Sequence, residues 1–476
     1  MKCCAWCLLV LCHAWWAGCV ASDDVPLLLV VSFDGFWYQY LSLYSTPNIQ
    51  ALAAEGVRAE YMKNVYVTKT FPNHFTLATG LYEESHGIMG NSMYDPALNE
   101  TFDLSNTDPR WWDNGQVVPI WIANQLHGTS RRSGGMMWPG TDVTFRNGRA
   151  HRVLAYDPKV NFTTRVDTVI SWFLDPVEPV NCVLLYHEEP DATGHRFGPL
   201  STEVRTQVEA VDDLVGQMVR SLAAAGLLDR LNLLLVSDHG MASVPSANVI
   251  DVDAILGADS YSEYGTSPVW NLVPRGGHTA EELHGKLVQA SSQGVRLRAY
   301  LAADIPVEYH YAGNARALSI LLEANEGWEL VRGNPGPRDN RTVYGAHGYN
   351  NSLDSMHPLF VGRGPDLVRG LVVGPFPNVD LFPLMCVLLR LPVLPSNGSL
   401  DHVVSMLRLA GTPQDRQAVS VVFLVALGVL SATTLLALTA LGFQLWKGRG
   451  RKRTREVALA WSRPEEQAQL LVAEDL

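Results

Sequence analysis

Three continuous apolar runs constrain what this 476-residue chain can fold into, because each breaks off abruptly at acidic residues. Val25 to Phe33 stops at Asp34-Gly35, residues 181–186 run into His187-Glu188-Glu189-Pro190-Asp191, and Leu231 to Val236 runs into Ser237-Asp238-His239-Gly240. Continuous rather than alternating hydrophobicity marks strands covered on both faces, as in a parallel sheet with helices on each side. The acids then fall at carboxyl ends of strands, on the rim where open α/β sheets place their ligands. A single aspartate after a strand is usually a turn or a helix cap. Three of them with companion histidines point to a site.

Between the strands, Thr46 to Gly56 reads as a helix ending at a glycine, with Ile49, Leu52 and Ala53 at helical spacing. Glu203 to Ala225 reads as a second, its apolar face formed by Val204, Val208, Val211, Leu214, Val215, Met218 and Leu222. Strand and helix alternate, which predicts an α/β fold with a mostly parallel central sheet and helices on both faces. Residues 250–345 carry more glycine and proline and weaker periodicity, and are expected to decorate the same domain.

The two ends differ from the middle. Residues 1–21 have Lys2, an apolar run from Cys4 to Trp16 and then small residues, the pattern of a cleaved secretory signal. Ala418 to Trp446 contains no ionisable side chain and is long enough to cross about 30 Å of hydrocarbon at about 1.5 Å per residue. The basic run Lys447 to Arg453 that follows marks a cytoplasmic side. The expectation is a single-pass type I protein of the plasma membrane. Residues 22–411 form its extracellular catalytic domain, 412–417 a juxtamembrane linker, 418–446 the transmembrane helix and 447–476 a cytoplasmic tail with a dileucine-like pattern from Glu466 to Leu471.

Asn99, Asn161, Asn340, Asn350 and Asn397 begin Asn-x-Ser/Thr triplets compatible with glycosylation of such an ectodomain. Cys182 and Cys386, outside the proposed signal, sit in apolar runs and are expected as buried free thiols, a bridge between them staying open. A net charge of −12 argues against a surface for nucleic-acid polymers, so cations must supply much of the positive charge for a phosphate substrate.

The candidate nucleophile is Thr70, in Thr68-Lys69-Thr70-Phe71-Pro72-Asn73-His74. A threonine hydroxyl becomes competent when a base or a metal ion stabilises its alkoxide. Asp191 and His195 are four apart and can grip one cation, with Pro190 and Gly194 favouring a loop. Asp238-His239 can reach one ion if the backbone turns sharply at Gly240, and His347 is likewise flanked by a glycine. Oxygen and imidazole donors with no cysteine suit zinc better than manganese or magnesium.

Together with Ser32-Phe33-Asp34-Gly35-Phe36, residues 80–88 (Gly-Leu-Tyr-Glu-Glu-Ser-His-Gly-Ile), residues 91–95 (Asn-Ser-Met-Tyr-Asp) and residues 138–142 (Trp-Pro-Gly-Thr-Asp), these motifs resemble the ectonucleotide pyrophosphatase/phosphodiesterase family of the alkaline phosphatase superfamily. The sulfatase branch is disfavoured, since its Cys or Ser followed by x-Pro-x-Arg is absent. The resemblance implies an alkaline-phosphatase-like fold and two zinc ions, one held by Asp34, Thr70, Asp238 and His239, the other by Asp191, His195 and His347. It also implies that Thr70 forms a covalent nucleotidyl intermediate, that Asn91 donates to a phosphate oxygen, and that Phe71 and Tyr156 flank a nucleobase.

The activity so implied is hydrolysis of extracellular dinucleoside polyphosphates such as diadenosine triphosphate. Cleavage of choline phospholipids and a non-catalytic surface receptor on the same fold are the alternatives. His74, His86, His187 and His357 are read as structural. Ala346 stands where relatives often carry an acidic or polar residue, which puts any ligand-orienting bond from that side chain in doubt but leaves His347 as a ligand.

Overall fold

The first apolar run becomes an interior strand of an eight-stranded sheet in the computed structural model, which describes residues 25–333, 336 and 340–408. In chain order the strands are β1 (Leu27–Phe33), β2 (Val57–Ala59), β3 (Ser133–Met136), β4 (Arg152–Leu154), β5 (Cys182–His187), β6 (Leu231–Val236), β7 (Phe360–Arg363) and β8 (Leu371–Val373). Their spatial order is β8-β2-β7-β6-β1-β5-β3-β4. The expected signal, linker, transmembrane helix and tail lie outside the described residues. Among the described residues no helix is long and apolar enough to cross a membrane.

The three apolar runs are neighbours, with β5 and β6 flanking β1 in parallel. Phe33 lies opposite His187 and Ser32 opposite Val236, so the segments beginning at Asp34, Glu188 and Ser237 leave the sheet at one level. Every pairing in the sheet is parallel except the two made by β7.

Both faces of β1 are covered. Leu29, Val31 and Phe33 pack against one set of helices and Leu28 and Val30 against the other side of the core. Helices α1 (Pro47–Glu55), α2 (Thr70–Thr79), α3 (Phe162–Phe173), α4 (Asp191–Phe197), α5 (Thr202–Ala224) and α6 (Leu381–Leu388) surround the sheet. Ile49 of α1, Val169 of α3 and Val208 of α5 share the first cluster, and Phe75 of α2 and Leu384 of α6 the second. The α5 face is the expected one except that Leu214 is only partly buried. Its start moves to Thr202 because the Ser201 hydroxyl accepts from the Val204 N–H and caps the helix.

The cap of α1 comes from a different helix. Thr46 makes no side-chain cap, and Pro47 has no N–H to satisfy. Asp212 of α5, 1% exposed, instead accepts from Ile49 N at 2.8 Å, Asn48 N at 3.0 Å and Asn48 Nδ2 at 2.7 Å. An Asp212→Ala chain loses this buried acceptor and strands its donors, so its stability should fall by about 3 kcal/mol. Thermal unfolding checks this, and an unchanged midpoint would contradict it.

The decorating region is more ordered than its weak periodicity suggests. Strands Tyr261–Thr266, Val269–Pro274, Ile320–Ala324 and Leu297–Leu301 form an antiparallel sheet in that spatial order. Leu283 and Leu287 of helix Ala280–Ser292 pack on Leu272, Leu297 and Leu322 in a core of its own. The turn between the first two of these strands is tied to the main sheet's rim, where Lys69 Nζ donates to the Ser267 carbonyl at 2.8 Å.

Candidate active site

The rim residues converge because the loops leaving β1, β5 and β6 interlock. After Asp34 the chain turns at Gly35, whose φ is +66° and whose missing side chain leaves room for Asp191; a Cβ there would lie 2.8 Å from Asp191 Cβ. The Gly35 N–H donates to Asp238 Oδ1 at 3.2 Å and the Phe36 N–H to Ser237 Oγ at 2.9 Å, joining the first loop to the third. Gly240 does not supply the sharp turn by a left-handed φ. It is small because the Ser355 carbonyl lies against it, 2.2 Å from where a Cβ would stand.

Asp191 and His195 are not on a loop as expected. They lie on α4, one turn apart on the same face, with Asp191 Oδ1 3.4 Å from His195 Nε2. Pro190 precedes the first helical residue, where a missing N–H costs nothing. His347 completes the group, its Nε2 3.7 Å from Asp191 Oδ1. On the other side, His239 Nε2 lies 3.1 Å from Asp238 Oδ2 and 3.2 Å from Asp34 Oδ1.

Two sets of potential ligand atoms result: Asp34, Asp238 and His239 in one, and Asp191, His239 and His347 in the other, the atoms of each lying within 4.8 Å of one another. The His239 and His347 rings stack with centroids 3.5 Å apart, so the sets adjoin.

The donor chemistry fits divalent cations. Each imidazole has its Nδ1 on a main-chain carbonyl, His195 on Gly345 at 2.9 Å, His239 on Gly240 at 2.9 Å and His347 on Thr68 at 2.8 Å. A carbonyl can only accept, so Nδ1 carries the proton and the Nε2 lone pair faces the cluster. The Thr68 carbonyl thus orients His347 although Ala346, buried in a short strand pair, cannot. Asp34 Oδ1, Asp191 Oδ1 and Asp238 Oδ2 are buried with no hydrogen-bond partner, a costly arrangement that a bound cation relieves.

The charges strain against one another without such a cation. Burial, and then the nearby Asp238 and Asp191, holds the Asp34 carboxyl well above the ordinary aspartate range. Burial pushes Asp238 the same way, but the imidazoles of His239 and His74 outweigh it and carry that carboxyl below its usual value. Burial, followed by His239 and Lys69, keeps the His347 imidazole far below its ordinary value and therefore neutral, the form that can ligate.

Thr70 is the first residue of α2, and its Oγ1 lies 3.4 Å from His239 Nε2. A helix N-terminus favours developing negative charge at that hydroxyl. His74, one turn later, joins the Thr70 carbonyl to Ser32 Oγ, both at 2.8 Å, which agrees with a structural role. His74 does so beside the first set, its Nδ1 3.4 Å from Asp238 Oδ2, whereas His187 packs between Phe33 and Phe162, His86 contacts Thr76 and Phe75, and His357 stacks on Tyr61.

A cavity of about 640 Å³ opens over Thr70, Asp34, Asp191, His195 and His347, and Phe71, Asn91 and Tyr156 line it too. Asn91 Oδ1 accepts from the Phe71 N–H at 2.9 Å, which leaves the Asn91 amide hydrogens for another partner. Phe71 is backed by Trp112, whereas Tyr156 is 52% exposed at the mouth with its ring edge-on to Tyr186. Sequence reasoning missed Trp112, Trp138, Asp142 and Tyr186 as lining residues. Trp138 and Asp142 carried a signal as part of the motif at residues 138–142, and Tyr186 as a polar group within an apolar strand next to the acids.

Cys182 and Cys386 are free and buried, as expected. Of the five glycosylation candidates, Asn99, Asn161, Asn340 and Asn397 are exposed, while Asn350 is half-buried and spends its amide on the Tyr309 hydroxyl at 2.7 Å.

Comparison with known proteins gives a consistent picture. The family model for type I phosphodiesterase / nucleotide pyrophosphatase matches residues 28–350. The human bis(5'-adenosyl)-triphosphatase ENPP4 is 40% identical over 389 residues, 81% of this chain and 83% of that protein. Human ectonucleotide pyrophosphatase/phosphodiesterase family member 5 is 37% identical over 392 residues, 82% of this chain and 80% of that protein. The structure of murine ectonucleotide pyrophosphatase/phosphodiesterase 5 superposes with a TM-score of 0.75 at 37% identity, covering 80% of this chain and 100% of that one.

Proposed function

The chain belongs to the type I phosphodiesterase / nucleotide pyrophosphatase family, and from that premise we propose that it is a zinc-dependent hydrolase of dinucleoside polyphosphates at the cell surface. Diadenosine triphosphate and water would give AMP and ADP. The observation that carries the reading is the place of Thr70, at a helix N-terminus within 3.4 Å of an imidazole that belongs to both ligand sets. The names of the relatives support the substrate class, since one is a bis(5'-adenosyl)-triphosphatase. A murine relative, inactive through a threonine-to-alanine substitution, is also known in complex with AMP.

Asp34, Asp238, His239 and Thr70 would hold one zinc ion, and Asp191, His195 and His347 the other. Bound there, the ions would withdraw charge from the phosphate oxygens and ease loss of the Thr70 proton. The chain's own groups do the rest. Phe71 and Tyr156 hold the adenine between them, and the Asn91 amide donates to a phosphate oxygen in a site whose dipoles are already set. Thr70 Oγ bonds to the adenylyl phosphorus as the bridging P–O bond to ADP breaks. Water then attacks that phosphorus, AMP leaves, and Thr70 recovers its proton.

Product analysis of the purified full chain with diadenosine triphosphate tests this, with a choline phospholipid in a parallel assay. AMP and ADP in equal amounts are expected. Turnover of the lipid alone, or of neither, would overturn it.

The sequence features at the two ends support a glycosylated, membrane-anchored ectodomain. Glycopeptide mapping of secreted or surface protein is then expected to find glycans at Asn99, Asn161, Asn340 or Asn397 and an unmodified Asn350, whose amide is already bonded. A glycan on Asn350 would contradict that assignment.

A further inference from the structure

We propose that Tyr186 is a positioning residue for the first metal site, fixing the carboxylate of Asp34 through its hydroxyl while its ring serves as a wall of the substrate cavity. The inference rests on the reading of Asp34 as a metal ligand. The Tyr186 O–H donates to Asp34 Oδ2 at 2.6 Å, and no other side chain among the described residues bonds that oxygen. Asp34 is 2% exposed, so water cannot take the donor's place easily. Its other oxygen, Oδ1, is the one left without a partner and lies 3.2 Å from His239 Nε2. The hydroxyl therefore selects which oxygen faces the ligand set and holds the carboxylate against rotation.

Two ring contacts set the Tyr186 side chain in place, and a third contact holds its backbone. His74 meets its ring edge-on at 5.2 Å, and Tyr156 does so at 5.9 Å from the cavity mouth. Behind it, Arg165, 1% exposed, donates from one nitrogen to both the Tyr186 carbonyl and Glu188 at 2.9 and 2.8 Å, pinning the carboxyl end of β5. One side chain thus touches the aromatic wall at Tyr156 and the acid at the rim. Hydrogen bonds to ligating groups govern ligand orientation, and removing one typically weakens metal affinity by about 10- to 100-fold.

Because the ring and the hydroxyl do different work, two substitutions separate them. Tyr186→Phe keeps the wall and removes only the donor. For the full chain, metal-stripped and titrated with zinc, it should weaken the tighter or the weaker of the two binding steps by about tenfold or more while leaving the other in place. It should also lower kcat on diadenosine triphosphate with little change in KM, whereas Tyr186→Ala should raise KM as well. Thermal unfolding of the metal-stripped proteins shows whether the Phe variant is folded like the parent. Zinc binding by Tyr186→Phe equal to that of the parent overturns the inference and leaves the site reading intact. A parent chain that binds no zinc overturns both.

Discussion

A Thr70→Ala chain should bind AMP about as well as the unsubstituted protein yet turn over diadenosine triphosphate slower by on the order of 10⁶-fold, the scale seen when a nucleophile is removed. Alanine is tolerated at the first position of a helix, and Thr70 is only half-buried, so the fold should survive. The proposed base wall at Phe71 and the Asn91 amide remain, because the bond between them runs through the Phe71 main chain. Thr70→Ser restores a hydroxyl at the same place and should recover part of the rate. Calorimetry with AMP beside a turnover assay separates binding from chemistry. A Thr70→Ala chain that keeps a tenth or more of the parent rate would mean that another group attacks phosphorus.

Withdrawing divalent cations should have a second large effect, on rate and stability together. Three buried carboxylate oxygens of the site, from Asp34, Asp191 and Asp238, have no hydrogen-bond partner, and the three residues follow three adjacent strands. Cations that bind only the folded chain add stability by mass action, about 4 kcal/mol when free ion exceeds Kd a thousandfold. Chelation is therefore expected to reduce turnover to background and lower the thermal midpoint by several degrees. Zinc should restore both. A chelated chain with its midpoint unmoved would show that the carboxylates tolerate their burial alone, and would remove the main support for the metal reading.

Much of this site was legible because the strands that carry it are apolar on both faces and stop at acids. Neither Asp34 nor Asp238 needs long-range information to be placed at a strand's end, and the parallel register brings them level. Asp191 and His195 were placed on a loop because proline and glycine discourage helices. Tertiary packing overrides that, since a side chain at Gly194 would meet Met241 at 3.0 Å. The reversal of β7 left no local mark, and neither did the Asp212 cap on α1, which joins residues 164 apart. The antiparallel sheet of the decorating region hid behind Ser262, Asn271 and Glu323, polar residues at buried strand positions that blur the alternation. Partners for such groups are chosen by the whole fold.

The anchoring of the three histidines on the carbonyls of Thr68, Gly240 and Gly345 has a consequence for inheritance. Every residue type possesses a carbonyl, so no missense change at those three codons can delete the grip itself. What loosens it is displacement of the backbone. An exchange of the Thr68 side chain should therefore disturb the rings' aim less than any substitution at Gly240 or Gly345, where a Cβ would stand 2.2 Å from the Ser355 carbonyl and 2.3 Å from the Gly194 carbonyl and push the backbone aside.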